Sequence, residues 1–375
     1  MQRLASRPRP NWQKTVESQG LHYHTIDGQP YWDESACYSF TRAEVDAVEK
    51  ATYDLNEKCL QAVDHVVEKQ LFPQFAIPAA FVDYVKESWE RDEQTIYGRF
   101  DFSFNGSEPP KLLEYNADTP TALLEASVIQ WFWLKDVQPA NDQFNSIHER
   151  LIEAWKLLKD KGETRVHFAS LRGQLEDYMT ANYLRDTAIQ GGLETQFLHV
   201  EQIGWNQRLN AFVDLNEQPI HTCFKLYPWE WMVREQFGPH LLTSRTRWLE
   251  PAWKMLLSNK ALLKVLWDLF PECPYLLRAD FEPVGTTYIK KPILGREGAN
   301  VSLVFDGTPI LETEGTYVEG PWIFQDVQPL PKFDGNYAVV GSWLVNGYAC
   351  GMGIREDIEP VTQNTSRFVP HFFTH

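Results

Sequence analysis

The stretch YGRFDFSFNGSEPPKLLEYNAD, residues 97–118, sets two acids and an arginine at a spacing that could do chemistry. Its outer parts alternate like β-strands and Asn105-Gly106 opens a turn-rich connection, so the pattern predicts a hairpin. One alternating set is Arg99, Asp101, Glu114 and Asn116. An antiparallel register that places Asp101 opposite Glu114 also places Arg99 opposite Asn116, and all four then share one face. Two opposed acids repel unless something cationic lies between them. Asp101, Glu114 and Asn116 offer only oxygen ligands, which suit hard Mg²⁺ rather than zinc. Arg99 could grip a phosphate or carboxylate with its rigid fork of donors. A solvated sheet face, with Arg99 in an ordinary ion pair, accounts for the same alternation.

Further along, single residues have similar double readings. Thr119 and Pro120 read as the cap and first position of a helix, whose N-terminus would aim N–H groups back at the hairpin. Thr121 could add a hydroxyl; both threonines also make sense as a plain first turn. KKPILGREGANVSLVF puts Lys291 at the end of a strand, before a loop carrying Gly295 and Gly298. Such a loop can bring backbone N–H groups onto phosphates, although an ordinary hairpin has the same glycines. It lacks the G-K-[ST] ending of a Walker A loop. Lys260 follows the cap residue Asn259, where a helix dipole disfavours a cation unless an anion is near. Arg355 closes the last hairpin ahead of the polar segment EDIEPVTQNTSR, as a lid residue or as a surface arginine paired with Glu356 or Asp357.

The elements that must hold these residues are mixed. TRAEVDAVEKATYDLNEKCLQAVDHVVEK, from Thr41 to about Lys69, has the apolar spacing of a long helix, and residues 143–160 predict another. VHFAS, a helix from Glu176 to Gly191, and TQFLHV read as the strand, helix and strand of an α/β lobe. KALLKVLWDLF predicts a helix capped by Asn259. TTYIKKPI, VSLVF and GPWIFQDV predict strands, and GSWLVNGYACGMGI a hairpin turning at Asn346-Gly347. The opening to about residue 37 reads as extended. The fold class is therefore α+β with an α/β lobe. Its approximate lobes are 1–142, with the long helix and acidic hairpin; 143–257, the α/β part; and 258–375, with the glycine loop.

Composition narrows the functions. With 43% hydrophobic and 23% charged residues the chain is that of a folded protein with a substantial core. A net charge of −16 without a basic block argues against nucleic acid and anionic membrane as partners, and is compatible with a cationic ligand such as an amine. The five cysteines are scattered, odd in number and without a C-x-x-C pair, so they read as reduced thiols of a cytoplasmic protein. No apolar run reaches the roughly 18–20 residues that span a bilayer, and the basic start lacks an apolar signal core.

Taken together, YGRFDF, LLEYNADTPTALLEA, FKLYPWEWMVRE, RWLEPAWKMLLSNKALLKVLW, KPILGREGANVS and LPKFDGNYAVVGSWLVNGYACGMGIRED resemble the glutathionylspermidine synthase family of ATP-grasp enzymes. The likeness covers essentially the whole chain and is nearest to the family's stand-alone bacterial members, provisionally classed as acid–amine ligases. It implies an ATP-grasp-type fold in which the metal-binding elements precede the ATP-binding ones. It implies Asp101, Glu114 and Asn116 as ligands of Mg²⁺, with Glu114 bridging two ions. Arg99, with Phe100 and Asp101 beside it, would meet the transferring phosphoryl group. Lys260 and Lys291 would hold ATP phosphates. Gly298 would cover the nucleotide, Gln325 would lie on its adenine side, Pro360, Val361 and Thr362 would complete its contacts, and Arg355 would act from a lid.

The implied reaction joins a small-molecule carboxylate, such as a peptide or thiol-peptide, to an amine such as a polyamine, through an acyl phosphate. The chain has no counterpart of the amidase domain found in the glutathionylspermidine enzymes, and Thr119, Pro120 and Thr121 stand where those enzymes show serines. Specificity therefore does not carry over, and oligomeric state is open. A silent ATP-binding sensor or scaffold, and a phosphotransferase with a hydroxyl acceptor, remain as alternatives.

Overall fold

The acidic hairpin forms as Tyr97–Ser103 and Lys111–Asn116 in the computed structural model, which describes residues 1–317 and 320–374. The hairpin does not stand alone. The C-terminal hairpin, Asn336–Val345 and Tyr348–Asp357, adds its first strand along Tyr97–Ser103, and Arg367–Val369 extends the far edge. Asn346 and Gly347 turn the C-terminal hairpin with φ of 48° and 81°, the left-handed pair that a two-residue turn needs. One antiparallel sheet is thus built from strands of the first and last thirds of the chain.

The back of this sheet is apolar. The helix Arg42–Glu68 packs there through Val48, Leu55, Cys59 and Ala62. It starts at Thr41, whose hydroxyl accepts from the Glu44 N–H while Glu44 accepts from the Thr41 N–H. Phe100 and Tyr115 alternate with the polar set and so point to the back face, where their rings stack at 3.9 Å. All five cysteines are buried and unpaired.

Two further sheets flank the site, and smaller sheets lie elsewhere among the described residues. An antiparallel sheet in the order Ala279–Asp280, Trp322–Gln325, Tyr288–Pro292, Ser302–Phe305, Thr308–Glu312 carries Lys291 and the glycine loop. A parallel sheet pairs Arg165–Ser170 with Glu194–His199 across the helix Leu175–Gln190, the strand–helix–strand unit expected from the sequence, and adds Thr222–Leu226 and Arg247–Leu249. Among the described residues no helix is long and apolar enough to cross a membrane.

Several element boundaries differ from the sequence-based reading. The helix expected from Thr119 starts only at Leu123, and its first full turn is the π-helical segment Glu125–Ile129. The intervening chain is taken by tertiary bonds. The Tyr97 hydroxyl donates to the Pro120 carbonyl at 2.9 Å and Arg99 Nη1 to that of Thr121 at 2.7 Å, while Ala122 is left-handed at φ 64°. Thr119 is therefore no cap. The helix read from residue 143 begins at Ile147, and the one after Asn259 begins at Leu262, with the Asn259 carboxamide accepting from the Ala261 N–H at 2.9 Å. The opening segment, read as extended, contains the helix Trp12–Ser18.

Candidate active site

The register inferred from residue spacing is the register found: Arg99 lies opposite Asn116 and Asp101 opposite Glu114. The neighbouring strand sets Gly341 beside Asp101 and Trp343 beside Arg99. Gly341 has a plain steric reason. A Cβ there would come within 2.8 Å of Arg99 Cδ, so the glycine makes the groove along which the arginine lies.

The repulsion between the acids is answered by cations of the chain itself. Arg99 binds Asp101 with both arms of its fork, at 2.6 and 2.9 Å. Lys260 Nζ sits 3.0 Å from Glu114 Oε2. Asn116 donates its amide to Asp101 at 3.0 Å and to Glu114 at 3.1 Å. Burial pushes the Asp101 carboxyl upward and Arg99 opposes it. At Glu114 burial acts in the same direction, but Lys260 and Lys291 outweigh it and hold that carboxyl down at about 2.

These groups form one wall of a cleft between the two antiparallel sheets. Asp101, Glu114, Lys260, Lys291, Gly298 and the segment 360–362 all line it. Ile289, Val301, Leu303 and Leu330 give the same cleft an apolar slot beside its polar groups. Gly298, at φ 70°, lies so near the opposite wall that a Cβ would meet the Thr362 carbonyl oxygen at 2.6 Å. The glycine loop and residues 361–362 thus close over the cleft against each other.

Lys291, at the end of its strand as expected, is buried. Its ammonium donates to Gln325 Oε1 at 2.9 Å and to the Leu113 carbonyl at 3.2 Å. Burial lowers its pKa to about 8, partly offset by Glu114. Gln325 is buried behind it, also bonded to the Leu112 carbonyl, and supports Lys291 instead of lining the cleft. Phe100 lies on the back face, stacked on Tyr115, and does not line the cleft. Arg355 stands on the sheet and not on the following loop; it shares a small adjoining cavity with Arg99, Asp101 and Thr362. Its Nη2 donates to the carbonyls of Gln363, Asn364 and Ser366, so it staples the segment that walls the cleft.

Sequence reasoning passed over three groups. Arg296, inside the glycine loop, donates twice to Glu230 Oε1 at 2.9 and 2.7 Å and once to the Thr119 hydroxyl at 2.7 Å. Its place between two glycines was the available signal. Glu176 and Asp177 lie in the first turn of the helix Leu175–Gln190, half-buried, where they read as ordinary dipole-favoured acids. In space Glu176 feels Arg355, Glu297 and Arg99, and burial raises its pKa. Burial, then Glu176 and Glu297, raise that of Asp177 to about 7. Two further acids therefore lie within the electrostatic reach of Arg99, Arg355 and Arg296.

The oxygen donors fit a hard divalent ion: two carboxylates converge at the cleft floor, and the Asn116 amide can present its oxygen by turning over. Fold and site together define a class, the ATP-grasp-type proteins of mixed helices and sheets. A glutathione synthetase-like effector of Globodera pallida shares this fold with a TM-score of 0.59, over 98% of this chain and 100% of that one, at 9% identity. The glutathionylspermidine synthase pre-ATP-grasp family model matches residues 3–374, and the chain belongs to that family. It is 41% identical to a Haemophilus influenzae protein provisionally named an acid–amine ligase, over 100% of both chains. It is 30% identical to the bifunctional glutathionylspermidine synthetase/amidase of Escherichia coli, covering 89% of this chain and 58% of that one. It thus spans little more than half of that second relative.

Proposed function

We propose that the protein is an ATP-dependent ligase that joins a carboxylate to an amine through an acyl phosphate, releasing ADP and phosphate. The observation that carries this reading is the cleft floor, where Asp101 and Glu114 face each other with Lys260 3.0 Å from Glu114. Phosphoryl transfer asks a protein mainly for positioning and for fixed charge around the group in transit. Lys260 and Lys291 would hold the nucleotide phosphates, and the apolar slot would take the base. Asp101, Glu114 and Asn116 would hold one or two Mg²⁺ ions, which when bound neutralise charge on the phosphate oxygens. Arg99 would exchange part of its grip on Asp101 for the phosphoryl group and the acid substrate. The amine arrives as a cation, and Glu176 and Asp177 are the acids we assign to meet it. The names of the relatives favour a glutathione-like peptide acid and a polyamine among the substrates to be tried.

The experiment is a screen of carboxylate and amine pools for Mg²⁺-dependent ADP release, with mass spectrometry of the product. An amide appearing only with both pools supports the ligase. A stable phosphate ester would mean a phosphotransferase. ATP binding without turnover on any pair would mean a sensor or scaffold.

A further inference from the structure

Behind the reacting face lies a second cavity, of about 230 Å³, for which the ligase chemistry above has no use. It adjoins the back of the hairpin sheet, and Asn56 and Leu60 of the helix Arg42–Glu68 border it. Gly98 helps to make the space. It pairs with Leu344 on the next strand, and a Cβ there would meet the Tyr115 hydroxyl at 2.8 Å. Tyr115 borders the cavity and is only 7% exposed, yet among the described residues its hydroxyl has no hydrogen-bond partner. A tyrosine that served packing alone would find a partner when buried. Around this unpaired group the walls are apolar, from Leu60, Leu257 and Leu344.

The charges around the cavity select what fits. Lys254 borders it, but its ammonium is engaged by the Tyr97 carbonyl at 2.6 Å and by Glu250 at 2.8 Å. Glu93 is likewise held by Ser88 at 2.6 Å and Arg91 at 3.0 Å. At the exposed rim Asp92 and Lys161 have no ion pair among the described residues, which leaves one free charge of each sign. A singly charged molecule would be attracted by one and opposed by the other, whereas a zwitterion is favoured by both. We propose that this cavity is a second small-molecule site, for a zwitterion of amino-acid type with an apolar side chain. The side chain lies against the three leucines, the Tyr115 hydroxyl and Lys161 serve the carboxylate, and Asp92 meets the ammonium. A cavity of roughly 150 Å³ already admits benzene, so the space here suffices for a leucine-sized side chain. The site does not depend on the ligase reading, since it lies on the opposite face of the strands from Asp101 and Glu114.

The test is calorimetric titration of the full chain with L-leucine. Isocaproate and isoamylamine, which keep its carbon skeleton with a single charge each, serve as controls. L-leucine should bind saturably, with ATP and Mg²⁺ present as well as absent, and each control should bind about fivefold more weakly. Asn56→Trp, at a half-buried position on the helix surface, should fill the cavity and abolish binding. Tyr115→Phe keeps the ring stacked on Phe100 and should weaken L-leucine at least about tenfold, the usual worth of a hydrogen bond to a charged group. Asp92→Asn should weaken L-leucine about fivefold without weakening isocaproate. No saturable binding of L-leucine, or binding that ATP displaces, overturns the site and leaves the cavity to water. So does an unchanged affinity in Tyr115→Phe or in folded Asn56→Trp. A control that binds as tightly as L-leucine overturns the assignment to a zwitterion.

Discussion

Lys291→Met separates what this lysine does for the fold from what it does for a nucleotide. In the free protein its charge is a burden: a drop from 10.5 to about 8 amounts to roughly 3 kcal/mol against the ammonium at pH 7. Methionine removes that burden and fills similar volume. It also leaves Gln325 Oε1 and the Leu113 carbonyl without their donor, at about 1–3 kcal/mol each. The two effects offset, so urea unfolding at pH 7 should place the variant within about 2 kcal/mol of the wild type. ATP binding has no such compensation. Loss of a charged donor to phosphate costs about 1.5–3 kcal/mol, or roughly 10–150-fold in Kd. The pH dependence gives a sharper check. Between about 8 and 10.5 the unfolded wild type keeps a proton that the folded form has lost, so its stability rises with pH across that window. The variant lacks the group, and its stability relative to wild type should fall by about 3 kcal/mol from pH 7 to pH 11. A stability difference that does not move with pH, or an unchanged ATP Kd, would refute the reasoning.

Asp101→Asn and Glu114→Gln should each cut Mg²⁺-dependent ADP formation by at least about 10²-fold while circular dichroism stays native; activity within a few-fold of wild type in both would leave the hairpin as a decorated sheet face. Arg355→Ala should lower kcat by about 10²–10³-fold with little change in ATP binding. A raised KM for ATP at unchanged kcat would mean that Arg355 only staples residues 363–366. Gly341→Ala should displace Arg99, since the added methyl falls 2.8 Å from its Cδ. Turnover should drop at least about tenfold with nucleotide affinity kept, and full activity would show that Arg99 needs no fixed groove.

The acidic hairpin was legible because strand periodicity and a turn signal leave few registers, and only one of them groups Arg99, Asp101, Glu114 and Asn116 by pairs. The long helix was legible from Thr41 and Glu44, which cap it locally. What could not be read depended on partners distant in the chain. Thr119 and Pro120 look like a helix start, yet Tyr97 and Arg99 take the carbonyls of Pro120 and Thr121. Nothing near Lys291 in sequence shows that Leu112, Leu113 and Gln325 will enclose it. Glu176 and Asp177 belong to one helix and Glu125 to another, and their common neighbourhood exists only after those helices pack. Arg355 closes the last hairpin as its sequence position implied, but its bonds to the carbonyls of Asn364 and Ser366 could not be read from spacing.

The pairing of Asp101 with Gly341 spans over two hundred residues of chain. During synthesis the hairpin of residues 97–116 leaves the ribosome long before the strand Asn336–Val345 exists. Until then Tyr97–Ser103 is an open edge, with unpaired backbone groups and Phe100 and Phe102 beside them, the kind of edge that recruits other strands. Arg99 meanwhile has neither its glycine groove nor the Trp343 ring that lies 5.5 Å from its guanidinium. The setting of Arg99 and Asp101 is therefore complete only once both parts of this sheet exist, and slow or interrupted synthesis leaves their strand exposed.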